Sequence, residues 1–265
     1  MPGRKTIEDW TTYMTAAGAP ETTRNLRTYH LQRLAADMTR GPWTVTFDYL
    51  VQWLAGQGWA ANTRKSYRQS LRSFCSWAMA TGRVTESPAH LLPPVRVPRG
   101  NPRPVDEATY RAALASADER VRLALLLGGA MGLRRSEIAR ARREDLVRDL
   151  VGWSLRVTGK GGHVRVVPAL AELAEVIRAG PAGWLFPSAH GGHLTGHHLA
   201  KLMSAELGDY SAHALRHRCG SVAYGVTRDL RAVQELLGHA RPETTAAYTL
   251  VPDDDVRAAM MAAPA

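Results

Sequence analysis

Leu91-Leu92-Pro93-Pro94-Val95-Arg96-Val97-Pro98-Arg99-Gly100-Asn101-Pro102-Arg103-Pro104 cannot continue a helix or pair as a central strand, because its five prolines lack backbone donors and fix their own φ angles. With Arg96, Arg99 and Arg103 interspersed, the stretch reads as a basic, extended linker over residues 93–104. It divides the chain into a module over 1–92 and a larger one over 105–265.

Outward from the linker toward the N-terminus, hydrophobic periodicity predicts four helices near 6–17, 21–38, 46–56 and 61–81, separated by Gly-Ala-Pro, Gly-Pro and Gly-Gln-Gly breaks. In the last of them Tyr67, Leu71, Phe74 and Ala78 recur at helical spacing and mark the core side. Arg64, Arg68 and Arg72 form a second row at i, i+4, i+8, with Lys65 beside it. Such a row is either a solvated face or a set of phosphate contacts. Next to a basic linker the second reading gains weight, so Arg64, Lys65, Arg68, Arg72, Arg96, Arg99 and Arg103 are candidate DNA-backbone contacts, which position a protein without reading sequence.

Charge supports a polyanionic partner. The chain has 34 Lys/Arg against 24 Asp/Glu, a formal charge of +10, and residues 1–104 alone hold 14 against 6. No apolar run reaches membrane-spanning length, and the N-terminus lacks a signal-peptide apolar region, which predicts a cytoplasmic protein without a membrane partner. Cys75 and Cys219 lack metal-ligand spacing, and His190, His193, His197 and His198 lack a His-Glu-x-x-His arrangement, so no metal is expected.

Toward the C-terminus, helices are predicted near 106–116, 119–131 and 135–146. Trp153, Leu155 and Val157 then alternate up to Thr-Gly-Lys-Gly-Gly-His, and Val164 and Val166 resume the alternation, which reads as a hairpin with Lys160 at its tip. Helices follow near 170–178, 196–206, 212–225, 229–237 and 242–249, with a tail helix near 253–262.

Four clusters in this module can carry chemistry: Gly132-Leu133-Arg134-Arg135-Ser136-Glu137, Gly159-Lys160-Gly161, His213-Ala214-Leu215-Arg216-His217, and Leu237-Gly238-His239 followed by Thr244-Thr245 and Tyr248. Each alone is weak: a turn, a hairpin tip, a polar helix face, a helix C-cap. His213 and Arg216, three apart on one helix, can converge on a single ligand.

In this order and spacing the clusters resemble the tyrosine recombinase (phage integrase) family, whose set runs Arg, Lys, His-x-x-Arg, His or Trp, Tyr. The resemblance extends to the N-terminal module, including Ser87-Pro88-Ala89 after its last helix. It implies a mainly α fold with a small β-sheet: a four-helix, SAM-like core-binding domain followed by an α+β catalytic domain with a C-terminal tail helix. The implied activity is site-specific DNA recombination, for integration, excision or resolution, in which Tyr248 forms a 3′-phosphotyrosyl link without metal, ATP or other cofactor.

The resemblance also implies roles. Arg134 and Arg216 would hold the non-bridging phosphate oxygens, a task suited to guanidinium forks that stay charged. His213 would assist loss of the Tyr248 proton, His239 would donate to a phosphate oxygen, and Lys160 would protonate the departing 5′ oxygen. Glu137 would orient the arginines or histidine. The implied partners are double-stranded DNA core sites, a second copy on each site, a homotetramer in synapsis, and in some relatives an accessory directionality protein. The cytoplasmic protein would be nucleoid-associated, or in the host cytoplasm if phage-encoded. Because the chain starts almost directly with the core-binding module, a short form without an arm-binding domain is expected. Leu250, where many relatives have His, is the one departure noted.

Overall fold

The computed structural model describes residues 4–38, 41–98, 103–159, 162–238 and 260–262. Its contacts divide the chain into two compact units, 1–100 and 101–265. The helix predicted at 242–249 and residues 253–259 of the tail helix lie outside the described residues, while residues 260–262 are helical.

The first unit contains α1 (Arg4–Ala16), α2 (Glu21–Asp37), α3 (Phe47–Gly56) and α4 (Ala61–Ala80). Thr46 starts α3 by accepting the Tyr49 amide, satisfying a donor that the helix cannot. The predicted stripe of α4 is the core side: Tyr67, Leu71, Phe74 and Ala78 are all buried, packed with Trp10, Leu31 and Leu50. Tyr67 is stacked between His30 (3.7 Å) and Trp59 (3.8 Å).

Two members of the arginine row beside this stripe also bond within the unit. Arg68 donates Nε and Nη2 to the Leu92 carbonyl at 3.0 and 2.6 Å, and Arg64 donates to the Trp59 carbonyl at 3.3 Å. Arg68 thereby fastens the end of this unit to α4. Lys65 and Arg96 are exposed, Arg72 is half-buried, and Arg99 lies outside the described residues.

The second unit holds α5 (Glu107–Ser116), α6 (Glu119–Gly129), α7 (Arg135–Ala139), β1 (Leu146–Arg148), β2 (Trp153–Thr158), β3 (Val164–Ala169), α8 (Ala171–Ala179), α9 (Gly196–Glu206), α10 (Ala212–Thr227) and α11 (Leu230–Leu237). Asp106, Asp118, Thr195 and Asp229 cap α5, α6, α9 and α11 through their side chains. Arg103 is exposed and lies 5.0 Å over the Tyr210 ring within this second unit. The apolar run from Leu123 is the buried α6, whose Ala124, Leu125 and Leu127 have no exposure; α10 packs on it. Burying each such leucine stabilises the unit by about 2 kcal/mol.

One expectation is corrected here. The helix predicted over 135–146 ends at Ala139, and residues 143–145 form a 3-10 turn that leads into β1. Ala141 and Arg142 are claimed by tertiary partners instead: the Ala141 carbonyl accepts the Leu185 amide at 3.0 Å, and Arg142 bridges to Trp184 and stacks 3.7 Å over its ring. The hairpin gains β1 and becomes a three-stranded antiparallel sheet in the order β1-β2-β3.

The structure also decides which residues of β3 face inward. Val164 and Val166 are exposed (58% and 57%), whereas Arg165 and the buried Val167 pair with Val157 and Leu155 on the inner face. Alternation places every second residue inward without saying which set.

Candidate functional site

The site grows from the ends of helices. The α6 helix ends near Ala130, and the chain turns at Gly132, whose φ of +66° suits glycine; a methyl group there would lie 2.6 Å from Leu237 Cδ2. The turn delivers Arg134 to the start of α7. One turn later Glu137 reaches back, its Oε2 accepting the Arg134 amide at 2.9 Å and its Oε1 accepting Arg134 Nη1 at 2.8 Å. The carboxylate thus caps the helix and aims the guanidinium.

Glu137 is only 3% exposed, and a second arginine meets it. Arg165 donates Nη1 to Oε1 and Nη2 to Oε2, both at 2.9 Å. Burial alone would push the Glu137 carboxyl up, but the Arg165 bonds, the Arg134 amide, the Arg165 charge and the Arg134 side-chain bond outweigh it and hold it at about 2.

Arg216, one turn after His213 on α10, is 1% exposed and spans two elements: Nη1 donates to the Gly132 carbonyl and Nη2 to the Leu237 carbonyl. Arg134 Nη2 lies 3.4 Å from the Gly238 carbonyl. Both guanidiniums therefore meet the C-terminal end of α11, where unpaired carbonyls carry partial negative charge. Gly238 ends that helix at φ +63°, leading to His239.

His213 opens to a cavity of about 670 Å³ lined also by Arg134, Arg135, His197, Lys201 and Ser204, with no carboxylate among the described residues lining it. Partial desolvation first, then Arg216, Arg134 and Arg135, lower the His213 pKa, so the ring is neutral and able to take a proton at pH 7. His217, 5.0 Å from His213 ring to ring, is pushed down to about 4 by desolvation and by His213 and Arg216.

These shifts predict acid sensitivity. A histidine whose folded pKa is depressed contributes stability that is complete above its unfolded value near 6.5 and is lost as pH falls through the folded one. His217 should therefore cost stability from about pH 6.5 down to about 4. Glu137 adds the same sign lower, from 4.5 down to about 2. Urea midpoints across this range should fall toward acid, and a His217→Asn variant should flatten the upper part.

Residues 105–254 match the family model described as Phage integrase family. The chain belongs to the phage integrase family. Tyrosine recombinase XerC of Rhodospirillum centenum (strain ATCC 51521 / SW) is 34% identical over 227 residues, 74% of this chain and 65% of that protein. Tyrosine recombinase XerC of Xanthomonas axonopodis pv. citri (strain 306) is 33% identical over 229 residues, 78% of this chain and 74% of that protein. A solved lambda integrase(75-356) dimer bound to a COC′ core site shares the fold, with a TM-score of 0.75 at 18% identity over 92% of this chain and 94% of that one.

In this integrase-family chain, Arg134, Glu137, His213 and Arg216 come together at one site formed by α7, α10 and α11. Lys160, His239 and Tyr248 lie outside the described residues. Among the described residues, a methyl group on Gly159 would lie 3.4 Å from Glu137 Oε1, and one on Gly238 would lie 2.7 Å from Arg165 Cδ. The N-terminal arginines and Lys65 belong to the other unit.

Sequence reasoning missed Arg165. Its only signal was a charged residue on a short strand among valines, and alternation alone does not say which set of residues faces inward. His190 and His193, with His197 and His198 at the start of α9, form no metal cluster among the described residues; His193 packs edge-on against Trp184 at 4.8 Å. Cys75 and Cys219 are buried, and burial pushes their thiols up to about 12 and 11. No described helix is long and apolar enough to cross a membrane.

Proposed function

We propose that this protein is a site-specific DNA recombinase that cleaves and rejoins DNA strands through Tyr248. The observation that carries the reading is the convergence of Arg134, Arg216 and a neutral His213 at one site, with Arg134 and His213 on the wall of a cavity that no described carboxylate lines, in a chain of this family. Phosphoryl transfer needs fixed positive charge around the reacting phosphate, and arginines held by buried acceptors supply it without rearranging during the reaction.

In the proposed step the Tyr248 oxygen attacks phosphorus and its proton passes to His213. The bond from phosphorus to the 5′ oxygen breaks, and Lys160 protonates that oxygen. The products are a 3′-phosphotyrosine and a free 5′-hydroxyl. A 5′-hydroxyl from a partner duplex attacks the phosphotyrosine and reverses the bonding, so bond energy is conserved and no nucleotide is consumed. Arg134 and Arg216 hold the charge on the non-bridging oxygens, His239 donates to one of them, and Glu137 orients Arg134. A phenol, mostly protonated at pH 7, depends on this company.

The proposed partner is duplex DNA, bound by the basic N-terminal unit together with the linker arginines. Arg96 and Lys65 are more exposed to a phosphate than Arg68, whose Nε and Nη2 donate to the Leu92 carbonyl. A dimer on each site, a tetramer in synapsis and an accessory directionality protein complete the proposal, in the cytoplasm and, for a chromosomal target, on the nucleoid.

The test is trapping on a random-sequence library of nicked duplexes, where loss of a short fragment prevents rejoining. Wild-type protein should form a denaturant-resistant DNA adduct, and Tyr248→Phe should form none. An adduct with the phenylalanine variant would refute the assignment. Strand exchange between two recovered duplexes then separates recombination from simple relaxation.

A further inference from the structure

Arg165 lies where the site's separate parts meet. Its fork closes on both oxygens of Glu137, a methyl group on Gly238 would lie 2.7 Å from its Cδ, and one on Gly159 would lie 3.8 Å from its Nη1. Glu137 lies between it and Arg134. The side chain is 17% exposed, so its interactions are weakly screened.

The charge count gives this placement a consequence. Glu137 aims Arg134, but a buried carboxylate 2.8 Å from that guanidinium would also cancel its charge and repel an incoming phosphate. A second cation on the same carboxylate restores a net charge of +1 to the group while leaving the aiming bonds intact.

We propose that Arg165 is a positioning residue for strand cleavage: it neutralises Glu137, so that Arg134 is held in place and still presents positive charge to the scissile phosphate, and it seats the segments leading to Lys160 and His239. This rests on the phosphoryl-transfer reading of the site. Arg165 acts through Glu137 and the two glycines and does not itself contact the phosphate.

The experiment uses full-length protein and the nicked duplex recovered by trapping, measuring single-turnover adduct formation at saturating protein separately from DNA affinity. Arg165→Gln should slow adduct formation by about 100-fold, as expected for a misplaced catalytic group, while Kd changes by less than about 3-fold. Arg165→Lys, which keeps the charge but not the fork, should stay within about 10-fold of wild type. Because Glu137→Gln removes the charge that Arg165 answers, the double variant Glu137→Gln/Arg165→Gln should be no slower than Arg165→Gln alone.

The proposal is overturned if Arg165→Gln forms adduct at the wild-type rate, if its whole deficit lies in Kd, or if the two losses multiply in the double variant. Should Arg165→Gln not fold, Arg165→Lys decides: a loss beyond about 10-fold overturns the proposal, and a smaller one supports it. The wild-type arm separates the two readings: no adduct from wild type refutes phosphoryl transfer itself, whereas a wild-type adduct that Arg165→Gln matches refutes the role of Arg165.

Discussion

Replacing Arg216 by lysine should lower the rate of DNA-adduct formation by about 100- to 1,000-fold, the range seen when one preorganised charge donor is lost. The same variant should also be destabilised. Arg216 is 1% exposed and ties the Gly132 turn to the end of α11, donating one nitrogen to each carbonyl. An ammonium is a point charge and cannot reproduce the two-armed span, so one carbonyl is left without its donor, at about 1–3 kcal/mol. Alanine should be worse, because both carbonyls lose their donor and a cavity opens beneath the site. Thermal unfolding at neutral pH measures the stability loss, and cleavage compared well below both melting temperatures isolates the chemical one. A fully active Arg216→Lys protein would contradict the placement of this residue at the reacting phosphate.

Replacing Glu137 by alanine should produce the second large effect, this time mainly on stability. The carboxylate answers two guanidiniums and the Arg134 amide. Its removal leaves two like charges facing each other in a largely desolvated place, and breaking buried pairs from one side costs about 3–5 kcal/mol. In a protein of this size that corresponds to a fall in Tm of roughly 10 °C. Glutamine should cost less, since it keeps an acceptor oxygen and the volume while losing the charge. Cleavage should drop in both variants, because Arg134 loses its aim. If Glu137→Ala melted within a degree of wild type, the buried pair would have no structural weight.

What was legible in the sequence follows a physical division between local and distant causes. The α4 helix was readable because its apolar stripe is local, as were the capped starts of α3, α5 and α6. The proline-rich stretch was readable because proline acts on its own backbone. The supposed helix over 135–146 failed because its second half is decided by residues some forty positions away, Trp184 and Leu185, which draw Ala141 and Arg142 out of helical pairing. Alternation in β3 left open which set points inward: Val164 and Val166 are exposed, and the inward place belongs to Arg165, which meets Glu137.

The candidate site divides in the same way. Motif spacing brought out Arg134, Glu137, His213 and Arg216, and the structure brings them together. The sequence could not show that Arg216 is buried between two carbonyls while Arg134 stays partly open, because those acceptors belong to other turns of the chain. Nor could it separate Arg68, engaged at Leu92, from its neighbours in the same helical row.

The central claim is that Tyr248 becomes covalently joined to a 3′ phosphate of DNA. Digesting the trapped adduct with protease and nuclease, then locating the residual nucleotide by peptide mass spectrometry, tests it directly. The modification is expected on Tyr248, with the opposite DNA end carrying a free 5′-hydroxyl. A nucleotide attached to any other residue, or a 5′-phosphate linkage, would contradict it.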